Sequence, residues 1–173
     1  MIEEHRGDAI PQSEEMLMKF RGSMIIAWLC AIAIFCLGAA QGAVVINEVE
    51  SNPAREESAF KTAVSAWFEL YNTEDKDVDL SGWSIKNSEG RSITIPKGTV
   101  IRGIDYYVQD VRPGWLAQDG EILVLNDAGG AEVDRTAALT DEDDNEMAWT
   151  RDPDGRDAES TDDWKYLASS RGF

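Results

Sequence analysis

The sequence predicts an all-β antiparallel sandwich preceded by one N-terminal hydrophobic helix, and three observations predict it. Short runs rich in Val, Ile, Trp, Tyr and Phe recur after residue 43, with turn chemistry between them. Several of these runs alternate apolar and polar residues, the period of a strand with one dry face. An uncharged apolar stretch from Met24 to Ala40 precedes them all.

The expected strands are Ala43–Glu50, Ala66–Asn72, Gly82–Lys86, Arg91–Ile95, Tyr106–Val111, Glu121–Asn126, Ala131–Arg135 and Met147–Arg151. Phe68 and Leu70 point one way while Glu69 and Tyr71 point the other, and Ile93 and Ile95 alternate with Thr94. Between the runs lie Asn52-Pro53, Ser81-Gly82, Glu89-Gly90, Pro113-Gly114, Asp119-Gly120, Gly129-Gly130 and Pro153-Asp154-Gly155, where Gly, Pro, Asn and Asp each supply a turn conformation. Ala54–Ser65 has little β propensity and reads as a surface insertion. The acidic stretch from Asp152 to Asp163 reads as a loop.

The apolar stretch follows Lys19 and Arg21 and ends in small residues, the layout of a signal peptide cut near Gly42-Ala43. An uncleaved anchor is the competing reading, because about 17–25 apolar residues span a bilayer. Both place Lys19 and Arg21 in the cytoplasm and the rest outside. Residues 1–23 then form a cytoplasmic extension, 24–42 a signal peptide or transmembrane anchor, and 43–173 an extracytoplasmic domain, secreted or at the cell surface. Residues 24–40 would hold the chain in the membrane if uncleaved. Cys30 and Cys36 lie inside this stretch, which excludes a disulfide framework from the domain.

The net charge of −17 argues against nucleic acid, whose affinity comes mainly from Lys and Arg on phosphate. Residues 43–173 carry 28 acidic against 13 basic side chains. The domain has no His and no Cys, since the one histidine is His5. That removes the usual imidazole or thiol chemistry and the usual zinc and copper ligands, leaving oxygen-ligated cations such as calcium. The chain is accordingly expected not to be an enzyme.

Three features still invite a chemical role. Asp141, Asp143, Asn145 and Asp152 fall at the first, third, fifth and twelfth positions of a calcium loop, although Glu146 stands where an EF-hand needs Gly. Trp115, behind Pro113-Gly114, is the expected exposed aromatic for a partner contact. Glu48 and Glu69 sit on neighbouring expected strands, where paired carboxylates could cleave glycosides; their structural role would be hydrogen bonding to turn backbone. The expected core holds Phe68, Leu70, Trp83, Ile85, Ile93, Ile95, Leu123 and Leu125, with Glu69, Lys86 and Thr94 near the surface.

Several blocks occur in order: Val45-Ile46-Asn47-Glu48-Val49, Trp67-Phe68-Glu69-Leu70-Tyr71-Asn72, Val78-Asp79-Leu80-Ser81-Gly82-Trp83, Ile95-Pro96-Lys97-Gly98-Thr99, Leu123-Val124-Leu125-Asn126-Asp127 and Trp149-Thr150-Arg151. This series resembles the lamin-tail domain, the immunoglobulin-like module of nuclear lamins that also occurs in secreted bacterial and archaeal proteins. The resemblance implies an immunoglobulin-like sandwich with a binding or anchoring role and no catalytic residues. A protein or cell-surface component is the partner it implies. One departure is the end of the chain, Ala168-Ser169-Ser170-Arg171-Gly172-Phe173, where the family commonly has a Thr-Pro-Gly and Asn segment.

Overall fold

The computed structural model describes residues 43–54, 65–156 and 161–173. The expected N-terminal helix and most of the expected insertion at 54–65 lie outside the described residues. Among the described residues eleven strands appear in order: β1 Val44–Glu50, β2 Trp67–Asn72, β3 Val78–Asp79, β4 Ser84–Lys86, β5 Ser92–Thr94, β6 Val100–Ile101, β7 Tyr106–Asp110, β8 Val124–Asn126, β9 Glu132–Arg135, β10 Met147–Arg151 and β11 Trp164–Ala168. A 3₁₀ turn at Thr161–Asp163 leads into β11. No α-helix occurs among the described residues.

One sheet has the order β11-β10-β1-β2-β7 and another β5-β4-β8-β9, with β3-β6 as a separate pair; every pairing is antiparallel. The eight expected strands all correspond to observed ones. β4 starts later than expected because Leu80–Trp83 forms a turn, closed by Trp83 N–H donating to the Leu80 carbonyl and by Gly82 at φ 78°. β3, β6 and β11 were not expected. The first two are two residues long, too short for a period to show.

Alternation fills the space between the sheets. Val44, Ile46, Val49, Phe68 and Leu70 meet Leu80, Ile85, Ile95, Leu123 and Leu125, and all are buried. Lys86 and Thr94 are exposed as expected, while Ile93 and Trp83 are only partly buried against this core. Trp115 is buried where an exposed side chain is expected. It is 2% exposed and its ring lies 6.3 Å from that of Phe68. The backbone explains the inversion: the Trp115 carbonyl accepts from Asn87 Nδ2 (2.6 Å) and from the Arg91 guanidinium (3.0 Å), so the turn between β4 and β5 anchors the loop and leaves the indole inside. The expected exposure of Trp115 is thereby overturned.

A buried ion pair joins the two sheets. Arg151 at the end of β10 reaches Asp134 of β9, 3.0 Å from its Oδ1, with both side chains at most 4% exposed. Register pairs β10 with β1 only at Glu48↔Thr150 and Val49↔Trp149, so Ile46 lies past the end of its neighbour. The ion pair takes over there: Ile46 N–H donates to Asp134 Oδ2 (2.6 Å) and Arg151 Nε donates to the Ile46 carbonyl (2.8 Å). The Trp164 ring lies 5.0 Å from the guanidinium carbon. A buried charge is costly unless paired and hydrogen-bonded, and here both partners are.

Trp115→Ala should cost about 3–5 kcal/mol, the range for removing a large aromatic from a core, and more than Trp83→Ala, as read by urea denaturation of the full chain. Arg151→Met alone should cost about 3–5 kcal/mol by leaving Asp134 buried without its cation. Adding Asp134→Leu should recover part of that loss in the same measurement. The double variant should stay below wild type, because Ile46 then lacks partners for its N–H and carbonyl.

Candidate functional site

The site begins with a bulge in β1. Ile46 pairs with Leu70 and Glu48 with Glu69, so Asn47 is an extra residue between the two registers. Val49 and Phe68 pair on the core side, which puts Glu48 and Glu69 together on the outer face of the sheet. Asn47 Nδ2 donates to Glu69 Oε1 (3.1 Å) and to Asp154 Oδ1 (3.0 Å), while its Oδ1 accepts from Gly155 N–H (2.9 Å). Tyr106 OH donates to Asp154 Oδ2 at 2.6 Å. The loop after β10 is thereby pinned on the sheet. Gly155 is required: a Cβ there would lie 2.9 Å from the Tyr71 ring, and its φ is 70°.

The C-terminal segment Ser169–Phe173 then crosses the same face as a strap. Ser169 N–H donates to the Glu146 carbonyl (3.0 Å), just before β10. Ser170 donates to Glu48 twice, from N–H to Oε1 (2.9 Å) and from Oγ to Oε2 (2.7 Å). Gly172 N–H donates to Glu69 Oε2 (2.7 Å). Arg171 lies over the Trp67 ring, 5.3 Å from its centroid, and bonds Asp110 of β7 (2.7 Å). Gly172 has φ 84°, a conformation that L side chains rarely adopt. The strap thus touches β1, β2 and β7 in turn.

The expectation that Glu69 stays near the surface is therefore overturned. Glu48 and Glu69 are both 0% exposed, because a covering segment occupies the face that alternation alone would leave wet. Desolvation disfavours a charged carboxylate. Burial pushes the Glu69 carboxyl up to about 7, and raises Glu48 as well, although the strap's donors pull both the other way. At the far end of β1, Glu50 is pushed up to about 8, first by burial and then by its hydrogen bond to Asp141. Tyr166 OH donates to Asp141 Oδ1 (2.5 Å), and burial followed by this bond raises that phenol to about 12.

The four residues with calcium-loop spacing take different places. Asp141 is buried and accepts from Asn52 N–H (3.2 Å) as well as from Tyr166. Asn145 Oδ1 accepts from Met147 N–H (2.7 Å) and from Tyr166 OH (3.1 Å). Asp143 is exposed, and Asp152 pairs with Lys165 at 2.6 Å. Among the described residues, no group of three or more His, Cys, Asp or Glu is arranged to hold a metal ion. Glu48 and Glu69 do come together, directly opposed across two strands. Their oxygens accept hydrogen bonds from the strap backbone and Asn47, so the pair holds a segment in place.

Sequence reading missed the strap, β11, and the Asp134–Arg151 pair. Glutamates inside the apolar runs Val-Ile-Asn-Glu-Val-Glu and Trp-Phe-Glu-Leu-Tyr-Asn were the available signal that an outer face was covered.

Antiparallel sheets packed over one apolar core define an all-β domain consistent with an immunoglobulin-like sandwich. The model of the Lamin Tail Domain family matches residues 38–163, and the chain belongs to that family. It is a family of immunoglobulin-like, non-enzymatic domains. The matched span ends before β11 and the strap. No curated protein matches the chain.

The raised carboxyls set a sign for stability against pH. Glu69 and Glu50 bind protons more tightly folded than unfolded, so the stability they contribute is fully present below about 4.5 and is lost as pH rises through about 7 and 8. Glu132, held low by Arg135, works in the opposite sense but is half exposed and carries little weight. Thermal melts of the full chain should show the midpoint falling from pH 5 to pH 8, by the equivalent of a few kcal/mol on the order of the burial effect. Glu69→Gln should flatten that slope.

Proposed function

We propose that this chain is a non-catalytic interaction domain of the lamin-tail type, exported or membrane-anchored through residues 24–40, whose partner is a protein or cell-surface component. Membership of the lamin-tail family carries this reading. The uncharged run after Lys19 and Arg21 supports the export of residues 43–173, and the lack of His and Cys in that domain supports a non-catalytic role. The strong negative charge favours a partner other than nucleic acid.

Protease added to intact cells should degrade the domain, which fractionates with the membrane or the medium; a domain recovered intact with the cytoplasm would refute the export. A calcium-dependent module built on Asp141, Asp143, Asn145 and Asp152 is the contrasting reading. Calorimetric titration of the purified chain separates the two: no heat and no change in melting temperature at millimolar calcium are expected, on the order of the weakest extracellular affinities.

A further inference from the structure

Glu48 and Glu69 are covered by two pieces of chain that differ in how firmly they are held. The loop carrying Asp154 and Gly155 is tied by Asn47, by Tyr106 and by Arg151, whose Nη1 donates to the Arg156 carbonyl (2.5 Å). The strap hangs on Ser169, Ser170 and Gly172 N–H groups, the Ser170 hydroxyl and the exposed Arg171–Asp110 pair. Beneath both, the β1–β2 ladder runs from Val44↔Asn72 to Glu50↔Trp67 and cannot open locally without losing the core. The strap is therefore the part that can leave at least cost.

We propose that the strap is a pH-responsive cover, closed over the Glu48–Glu69 pair while that pair holds a proton and lifted when both carboxyls are ionised, which exposes an acidic row flanked by Trp67. Two carboxylates at directly opposed positions, both fully buried, cannot carry two charges without water or a counter-ion. The other groups around them add to the repulsion. Asp154 from the loop acts on both glutamates, and Glu50 lies further along β1. From β7, Tyr106 is engaged with Asp154, and Asp110 holds Arg171. Asp141 faces Glu50. Of the cations, Arg171 is directed to Asp110 and Trp67, and Lys165 of β11 to Asp152. The three strap donors to these carboxyls, Ser170 N–H, the Ser170 hydroxyl and Gly172 N–H, favour ionisation, yet burial outweighs them, since both carboxyls are raised in their presence. Lifting five residues replaces those donors with water and leaves the strands intact.

Hydrogen-exchange mass spectrometry on the full chain in detergent micelles tests this, following a C-terminal peptide that contains Ser169–Phe173 and one from β2. After correction for the intrinsic pH dependence of exchange, strap protection should fall at least about tenfold between about pH 6 and pH 8.5 and reach the unprotected limit while β2 is still protected, the signature of local rather than global opening. The Glu48→Gln/Glu69→Gln double variant should keep the strap protected at the higher pH. Constant strap protection, or loss in step with β2, overturns the proposal. If the double variant does not fold, carbon-13 titration of the two glutamate carboxyls in the wild-type chain decides: their upper midpoint must coincide with the loss of strap protection, and a midpoint that differs from it also overturns the proposal.

Discussion

The architecture depends on the ion pair between Arg151 and Asp134. Sheet edges expose backbone groups that need partners, and β1 outruns its neighbour β10 at Ile46. Instead of a further strand, the fold supplies two side chains, one from each sheet, which bond to each other and to both backbone groups of Ile46. One interaction thereby completes a ladder, joins the sheets and fixes where the bulge at Asn47 begins. A hydrophobic replacement could fill the volume but could not bond Ile46. This gives the buried pair a structural reason independent of its net energy, which for such pairs is often small.

From that bulge comes the unusual chemistry of the outer face. Adding one residue to β1 sets Glu48 opposite Glu69 and places Asn47 where it can reach a glutamate, an aspartate and a backbone amide at once. The face then holds too many acceptors for an open strand surface. The strap and the loop after β10 bring the matching donors, so the polar layer is bonded to backbone across long sequence separations. The core has its counterpart in Trp115, held inward by a backbone carbonyl that the turn at Asn87–Arg91 grips.

Legibility in the sequence tracks the range over which each signal acts. Eight strands showed themselves because alternation and turn residues are local. Phe68, Leu70, Ile85 and Leu125 were assigned inward by the same rule, and Glu48 and Glu69 were placed on adjacent strands. Their burial was not legible, because the cover comes from Ser170 and Gly172, more than 100 positions away, in a segment without a period. Asp134 and Arg151 each look like a charge at a strand end, and only their meeting removes them from water. Trp115 followed Pro113-Gly114, an ordinary sign of an exposed turn, and the overriding contact with Asn87 is tertiary. β11 was hidden because Trp164-Lys165-Tyr166-Leu167-Ala168 stands directly behind an acidic stretch that argues for loop.

The position of β1 in its sheet has a mechanical consequence. The chain enters the domain at Ala43, whose carbonyl is gripped by Thr73 N–H (2.7 Å), and runs directly into a strand flanked by β10 and β2. Antiparallel hydrogen bonds lie perpendicular to the strands, so a pull on residue 43 along β1 loads the bonds to β2 in shear, joined at Glu48 and Val49 by those to β10. A strand at the sheet's margin would instead peel away one bond at a time. A tether joined at this point would pull against shear, with the Ile46 bonds to Asp134 and Arg151 among the first to bear the load.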